Sequence, residues 1–361
     1  MTGRRSTSTD ADSNSVSGSG SDGAHHALDP GRRRMLATGG VVGLGAWVAP
    51  QILSTTAAAA QTIPPGQGLF VAVGGGVLGW RSVDNGAAWI ASTTTFNGVP
   101  YSVATDGAGN WVAGGSGDLA WYSTDDAITW TAATSAPNSA AFSIATDGAG
   151  TWVAVGSGGS LAWRSTDNGA TWTAATIPPN GAVNGVATDG AGNWVAIGAL
   201  GSRAWRSVDN GATWTAAAIP PNGAVNGVAT DGAGNWVAVG GNGSRAWSST
   251  DVGATWTAAT IQPNGSPYAV ATDGAGNWVA VGFSGPGAWR SVDNGTTWIA
   301  ATTPPDDVGN AVATDASGRW VAVGFSGSLA WRSVDNGATW IGATTPPGGG
   351  GRSVAAARLL P

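Results

Sequence analysis

Short apolar runs separated by glycine-rich polar turns recur along the chain with a period of about 42 residues. One period contains four such runs, which in the third full copy cover residues 185–188, 193–198, 202–207 and 213–217. Runs of four to six residues bounded by Gly, Asn and Asp are typical of β-strands joined by tight turns. The pattern therefore predicts a repeating unit of four antiparallel strands, A to D.

A turn motif, Ser-x-Asp-x-Gly-x-x-Trp, stands between strands C and D of every unit. Six copies match it in full and a seventh, at residues 123–130, is degenerate; successive copies are 41 residues apart once and 42 residues apart five times. In the copy at residues 165–172, Asn168-Gly169 supplies the positive φ angles of a tight hairpin, and Asp167 can accept hydrogen bonds from its own turn. We interpret the motif as structural in every copy, because a catalytic constellation needs no sevenfold repetition. The anchoring aspartates are Asp84, Asp125, Asp167, Asp209, Asp251, Asp293 and Asp335.

The two ends of the repeat region complement each other. The first period begins directly with a strand B at residues 69–74, where Phe70 takes the place of the usual Trp, and the last period ends with a strand A at residues 352–356. Pairing these two segments closes a ring and removes exposed sheet edges. A lone unit buries too little surface to offset the entropy of ordering it, so neighbouring units must stack. The sequence therefore predicts an all-β, seven-bladed β-propeller.

On these motifs, residues 68–357 resemble an Asp-box (BNR-repeat) β-propeller of the sialidase-like superfamily. Seven regularly spaced copies make the resemblance specific for the fold. Members of this superfamily include sialidases, tandem-propeller xyloglucanases, sorting-receptor ectodomains and the photosystem II assembly factor. The resemblance therefore implies a fold and does not choose among these functions.

Composition excludes several kinds of chemistry. The 361 residues include no Cys, no Lys and no Glu, and both His residues, His25 and His26, lie near the N-terminus. Residues 61–361 carry 17 Asp and 10 Arg, a net charge of −7, which argues against nucleic acid as a partner. Disulfides and thiolate chemistry are absent. Each Asp-Gly turn offers a single carboxylate, too few for a calcium site, so we expect neither a metal nor a cofactor.

Residues 1–60 differ from the rest and read as a leader. Residues 1–31 are rich in Ser, Gly and Asp and are predicted to be disordered. Arg32 and Arg33 precede an uncharged segment, residues 35–53, and then the small-residue patch that ends at Ala60. This arrangement resembles a twin-arginine signal peptide, which implies export and cleavage after Ala60, with membrane contact only during export. The alternative is a retained membrane anchor. Residues 61–67 would be a linker, and residues 68–361 a secreted, monomeric propeller.

Catalytic residues do not stand out. A sialidase would need clustered arginines, a Tyr nucleophile and an Asp acid/base. Tyr122 falls in a repeated position after the strand C Trp, which five other blades fill with Arg. Other glycosidases use two carboxylates about 5–10 Å apart. The adjacent pair Asp306 and Asp307 is better interpreted as a solvated turn, and we predict no catalytic residue. The arginines of the repeated position are Arg81, Arg164, Arg206, Arg290 and Arg332; the aspartates outside repeated positions are Asp118, Asp126, Asp306 and Asp307.

Sequence symmetry breaks at one end of the predicted ring, where the B–C and D–A loops lie. Residues 177–196 and 219–238 are identical, which argues against an asymmetric active site. We therefore predict an exported, non-catalytic binding or scaffold module for a glycan or an extracellular protein or peptide, with a glycoside hydrolase as the alternative. The predicted ligand-binding residues, just before each strand A, are Tyr101, Phe142, Asn184, Asn226, Tyr268, Asn310 and Arg352. Nearby B–C loops add Asp118, Arg203, Arg245, Phe283 and Phe325.

Overall fold

The described residues form seven antiparallel four-stranded sheets, six with consecutive strands and one that combines the two ends of the repeat region. The structure, a computed structural model, describes residues 67–76, 78–117, 119–241 and 243–357. These residues contain 28 strands and no helix. The A strands of successive sheets pack against one another and so form the innermost ring. This arrangement confirms the predicted seven-bladed β-propeller.

The strands fall into four concentric sets. The A strands are β4 (Pro100–Thr105), β8 (Ala140–Thr146), β12 (Val183–Thr188), β16 (Val225–Thr230), β20 (Ser266–Thr272), β24 (Gly309–Thr314) and β28 (Gly351–Ala357). The B strands are β1 (Leu69–Gly74), β5 (Trp111–Gly115), β9 (Trp152–Ser157), β13 (Trp194–Gly198), β17 (Trp236–Gly240), β21 (Trp278–Phe283) and β25 (Trp320–Gly324). The C strands are β2 (Leu78–Ser82), β6 (Ala120–Ser123), β10 (Ala162–Ser165), β14 (Ala204–Ser207), β18 (Ala246–Ser249), β22 (Ala288–Ser291) and β26 (Ala330–Ser333). The D strands are β3 (Ile90–Thr95), β7 (Thr131–Ala132), β11 (Thr173–Ala174), β15 (Thr215–Ala216), β19 (Thr257–Ala258), β23 (Ile299–Ala300) and β27 (Ile341–Gly342).

Blade 1 combines the two ends of the repeat region. Its strand order is β28-β1-β2-β3, and β28 pairs with β1 from Leu69 opposite Ala357 to Gly74 opposite Gly351. Phe70 lies opposite Ser82, just as Trp111 lies opposite Ser123 in blade 2, so Phe70 does take the place of the strand B Trp. The predicted closure of the ring is confirmed. The remaining blades follow in chain order, from blade 2 (β4–β7) to blade 7 (β24–β27).

Strand bounds differ from the predicted ones where turns have special backbone geometry. In blade 4, strand C begins at Ala204 and not at residue 202, because Arg203 has a φ of +59° and belongs to the turn. Strand D is only two residues long, because Thr213 instead forms a parallel bridge with Ile177 of the preceding blade. Strand A starts at Val183, two residues earlier than predicted, and this shift changes the setting of Asn184.

The core consists of layers of Trp, Val and Ala between adjacent blades. The strand B indoles, such as Trp194, and most strand C indoles, such as Trp205, are almost fully buried. Fully burying such rings is worth several kcal/mol each, at about 25 cal/mol per Å² of apolar surface. Trp194 and Trp205 share a cluster with Val153 and Val155 of the preceding blade. Each core layer therefore needs two blades, which is why the units cannot fold singly.

The leader segments lie outside the described residues, as do residues 61–66 of the linker and Asp118. The expectations about Arg32, Arg33 and cleavage after Ala60 therefore remain predictions. Within the described ranges, no helix has the length and apolar character needed to cross a membrane.

Candidate binding site at the channel mouth

All seven predicted site residues lie at one structural position, a β-bulge in strand A. In blade 4 the A–B pairing shifts register between Val183 and Gly185, which leaves Asn184 as the extra residue. The other blades have a similar shift at this place. A bulge redirects the extra side chain out of the regular alternation. The sequence placed these residues just before strand A, whereas the structure places them inside it, at the end with the B–C and D–A loops.

Three of the seven hold neighbouring blades together. Asn184 Nδ2 donates to the carbonyl oxygen of Val225 at 2.9 Å, and Asn226 Nδ2 donates to that of Pro267 at 3.1 Å. Asn310 Nδ2 donates to the Gly351 carbonyl at 3.0 Å. All three side chains are buried. A buried donor that is bonded to the next blade is not presented to the channel, and ligand binding by these three asparagines stays a prediction.

Another part of the channel mouth carries a connected cluster of aromatic and cationic side chains. The Arg352 guanidinium carbon lies 4.8 Å from the ring centroid of Tyr101 and 5.1 Å from that of Phe325. The Tyr101 ring is 5.9 Å from the Phe142 ring, tilted by 51°. Phe325, Arg352, Tyr101 and Phe142 belong to blades 7, 1, 2 and 3, so the cluster spans four consecutive blades. We call these four residues the mouth cluster.

Arg352 is the electrostatic centre of the mouth cluster. Burial lowers the pKa of its guanidinium, an effect that the neighbouring Tyr101 opposes. Its Nε atom is buried and has no hydrogen-bond partner. No carboxylate among the described residues lies within ion-pair distance of Arg352. Arg319, by contrast, pairs with Asp315 at 3.3 Å. Aromatic faces attract the cation but do not satisfy its in-plane N–H groups.

Tyr268 is set apart from the mouth cluster. It occupies the bulge of blade 6, between the blades that carry Asn226 and Asn310. Burial raises the pKa of its hydroxyl, so the group stays protonated at neutral pH. The structure shows no ring contact between Tyr268 and the described members of the mouth cluster. The seven predicted residues therefore fall into three groups. Tyr101, Phe142 and Arg352 belong to the mouth cluster, the three asparagines bond to the next blade, and Tyr268 stands alone.

The opposite end of the ring contains the Ser-x-Asp turns, which follow one hydrogen-bond plan. In blade 4, Ser207 Oγ donates to Asp209 Oδ1 at 2.7 Å, and the Thr213 amide donates to the same oxygen at 2.9 Å. Trp214 Nε1 donates to the Gly211 carbonyl at 3.1 Å. Burial alone would raise the pKa of Asp209, but hydrogen bonds from Thr213 and Ser207 outweigh it and hold the pKa below its usual range. These aspartates fasten their own turns.

The adjacent carboxylates Asp306 and Asp307 also have local roles. Asp306 Oδ1 accepts a hydrogen bond from Trp331 Nε1 at 2.5 Å, the position that Asn264 fills for Trp289 in the preceding blade. Asp306 is thus a variant of a repeated Asn, although the sequence placed it outside the repeated positions. Asp307 Oδ1 accepts from the amide of Val308 at 2.6 Å. Among the described residues, no group of three or more His, Cys, Asp or Glu side chains is arranged to hold a metal ion.

The fold and this site define a class, a seven-bladed propeller with an asymmetric channel mouth. No family model matches the sequence, and no curated protein matches it significantly. Solved structures are similar in fold. A GH74 xyloglucanase from Xanthomonas campestris is 20% identical with a TM-score of 0.54, and the match covers 73% of this chain and 46% of that one. The chain thus spans about half the length of this xyloglucanase.

Two further structures with a similar fold come from complexes. YCF48 bound to D1 peptide is 18% identical with a TM-score of 0.54, over 70% of this chain and 83% of that one. A chain of a nidogen/laminin complex is 12% identical with a TM-score of 0.50, over 81% of this chain and 98% of that one. At these identities the similarity concerns the fold alone. Propellers of this kind therefore include both glycoside hydrolases and proteins seen with a peptide or protein partner.

Proposed function

We propose that this chain is an exported, non-catalytic β-propeller of the Asp-box type that binds a carboxylate-bearing peptide at the mouth cluster. The observation that carries the proposal is Arg352, which is held between the rings of Tyr101 and Phe325 without an acidic partner. Leaving a half-buried guanidinium without an anion costs free energy. A ligand carboxylate that pairs with it recovers that cost through charge-assisted hydrogen bonds.

The surroundings of Arg352 favour a peptide. Phe325, Tyr101 and Phe142 offer apolar ring surface on both sides of the cation, which suits side chains that flank a carboxylate. YCF48 bound to D1 peptide indicates that this fold accommodates a peptide ligand. A carboxylate-bearing glycan presents the same charged group. The experiment below distinguishes binding of such a glycan from binding of a peptide.

The three buried asparagines limit where the ligand binds. Asn184, Asn226 and Asn310 use their donors between blades, so the bulge positions of blades 4, 5 and 7 present no amide donor to a ligand. The ligand is therefore expected along the arc from blade 7 through blade 1 to blade 3. A glycoside hydrolase remains the alternative function, although Asp306 accepts from the Trp331 indole and Asp307 from the Val308 amide.

Binding of the full-length chain to peptide and glycan arrays, with a glycosidase panel alongside, tests the proposal. We expect captured peptides to contain Asp, Glu or a free C-terminus, and amidation of those carboxylates to abolish capture. Arg352→Ala should weaken binding at least tenfold, an effect of about 1.4 kcal/mol or more. Tyr101→Ala should weaken it less, and Tyr268→Ala should show whether the ligand reaches blade 6.

Arg203→Ala and Asp209→Ala are the controls. Arg203 is a B–C loop arginine of blade 4, and Asp209 fastens a turn at the other end of the ring. Neither should change the affinity of folded protein, although Asp209→Ala should lower its stability. Affinity that survives Arg352→Ala, or turnover in the glycosidase panel, would overturn the assignment.

Export is tested separately. Arg32 and Arg33 are proposed to form the twin-arginine signal, so replacing both by Lys should leave the protein inside the producing cell. The N-terminus of the exported protein should be Gln61. Unchanged secretion of the double variant would argue for another route.

A further inference from the structure

A cavity lies beside blade 6, and none of the mouth-cluster residues lines it. It occupies about 270 Å³ between the B–C loop at residues 282–287 and the following D–A loop at residues 304–308. The space is large enough for one long side chain but is smaller than a typical pocket for a drug-sized ligand. Its walls come from two loops that are both unusual among the seven repeats.

Gly287 contributes no side chain to the cavity lining. Gly287 takes the position that Leu161, Arg203 and Leu329 fill in other blades. A Cβ placed on Gly287 would lie 3.9 Å from the carbonyl oxygens of Asp307 and Gly282, which is ordinary contact, so a side chain fits here without a clash. Gly287 has a φ of +76°, and the three residues at the corresponding positions also have positive φ, between +59° and +62°. The backbone here is thus compatible with a larger side chain, although the chain has glycine at this position.

The rim of the cavity is apolar and aromatic. The Phe283 side chain is 53% exposed, although the corresponding residues of blades 3, 4 and 5 are Ser157, Ala199 and Gly241. Pro286 adds a rigid ring, where the corresponding residue of blade 3 is Ser160. An exposed aromatic face beside a cavity is a surface on which a cation or an apolar group can rest.

The cavity lining also contains two acidic residues. Asp306 and Asp307 both line it, and no Arg or Lys is among the residues that do. Burial acts to raise the pKa of Asp306, but hydrogen bonds from Ser328 and Trp331 hold it below the usual range, so the carboxylate is charged at neutral pH. The Asp306 hydrogen bonds and the bond from the Val308 amide to Asp307 orient both carboxylates but leave their negative charges without a cation.

From this geometry we infer that the cavity binds the cationic end of a lysine or arginine side chain from a polypeptide partner. The ammonium or guanidinium group lies against the face of Phe283 and near Asp307, and the aliphatic part of the side chain occupies the space left by Gly287. Aromatic and acidic groups act together here, because the ring attracts the cation and the carboxylates supply its counter-charge. The site does not depend on the mouth cluster and does not rest on the function proposed there.

The test is a ligand-observed NMR titration of the full-length chain with N-acetyl-lysine amide and N-acetyl-arginine amide. N-acetyl-norleucine amide, which has the lysine chain without its charge, and methyl β-glucoside are the neutral comparison ligands. We expect binding of the two cationic compounds that weakens as salt is raised, and no binding of the neutral ones.

Three single substitutions locate the binding. Gly287→Leu, which restores the residue that blades 3 and 7 carry, should abolish it by filling the space. Phe283→Ser should weaken it about two- to fivefold, the effect of a partly exposed cation–π contact. Asp307→Asn keeps an oxygen that can accept from the Val308 amide, and should weaken binding and reduce its salt dependence. Arg352→Ala, in the mouth cluster, should leave it unchanged.

Equal binding of the norleucine compound, or binding of the glucoside in place of the cations, would overturn the inference. So would an unchanged affinity in the Gly287→Leu variant. Melting temperatures of all variants separate a lost site from a lost fold. Since Ser157 and Leu161 are tolerated at the corresponding places in blade 3, Phe283→Ser and Gly287→Leu should fold.

Discussion

Two residues break the backbone pattern of the Ser-x-Asp turns. The two central positions of each turn have positive φ, which Asn and Gly adopt with little strain, as Asn168 and Gly169 do at +55° and +84°. Blade 5 has Val252 at the first position with a φ of +56°, and blade 2 has Ala127 at the second with a φ of +61°. A β-branched residue in this region is strained. Both departures predict measurable losses of stability.

Val252→Asn should raise the free energy of unfolding by about 1–2 kcal/mol, from relieved backbone strain and one additional hydrogen bond. In blades 3, 6 and 7 the corresponding Asn accepts a bond from the strand B indole, as Asn336 does from Trp320 at 3.2 Å. Trp236 Nε1 of blade 5 is buried without a partner. Urea denaturation measures the gain. Val208→Asn, at a 67% exposed position, is the control and should change nothing.

Ala127→Gly should also stabilise, by about 1 kcal/mol after allowing for the lost methyl group. A Cβ on the corresponding Gly169 would lie 2.7 Å from Val112 of the preceding blade, so a side chain is crowded at this position as well as strained. Thermal unfolding followed by circular dichroism measures the effect. Ala170→Gly, one residue beyond the same turn in blade 3, should instead destabilise. A melting temperature for Ala127→Gly at or below that of the parent would contradict the strain argument.

At the scale of the element, the Ser-x-Asp turn acts as a charged fastening. Six of the seven turns place a Thr where it donates to the carboxylate, as Thr213 Oγ1 does to Asp209 at 2.5 Å. In all six, burial would raise the pKa of the Asp, but the combined hydrogen bonds lower it. In blade 1, Ala88 replaces that Thr. Its backbone amide still donates to Asp84, but the hydroxyl donor is missing. The turns thus favour the ionised state of the carboxylate.

The pH dependence of stability follows from this shift. A carboxyl group whose pKa is lower in the folded state stabilises the fold above its unfolded pKa, and loses that contribution as the pH falls through the folded value. The melting temperature should therefore be constant above pH 5. It should decrease when the pH is lowered beneath about 4, the ordinary pKa of an Asp side chain. Thr213→Val should reduce this acid-induced fall. The control, Thr215→Val on the exposed strand D, should not. Equal slopes for Thr213→Val and the parent would contradict the prediction.

The sequence predicted elements better than it predicted side-chain partners. Asn168-Gly169 and the spacing of the aspartates determine turn geometry locally, so the strand order and the split blade followed from the repeat. The bulge at Asn184 did not, because a one-residue shift in A–B pairing leaves no mark on the apolar pattern. The partner of Asn184, the Val225 carbonyl, belongs to the next blade. The open cavity at Gly287 likewise depends on two loops meeting, although comparison of aligned repeats could have marked the missing side chain.

For the whole molecule, stability depends on a ring closed by noncovalent contacts. β28 supplies the A strand of blade 1, and its Ser353 Oγ accepts from the Val103 amide of blade 2 at 3.2 Å. Asn310 connects blade 7 to the same strand. The one segment therefore joins the first, second and last blades.

Deleting residues 352–361 should abolish cooperative unfolding, because it exposes the edge of β1 and the facing surfaces of two blades. Calorimetry and light scattering should show a broad transition and aggregation. Adding a synthetic peptide of residues 350–361 should restore part of the transition by pairing with β1. A truncated chain that melts at the parent temperature would contradict closure through β28.

The position of β28 also sets an order of events during synthesis. Val103 and Ser353 are separated by 250 residues, so the last seam of the ring can form only after nearly all of the repeat region has left the ribosome. Until then the nascent chain holds a growing stack of blades with an unpaired strand at its start, and such an edge recruits foreign strands. Contacts of such long range also form slowly. The newly made chain therefore passes through a stage in which chaperones have a defined edge to protect.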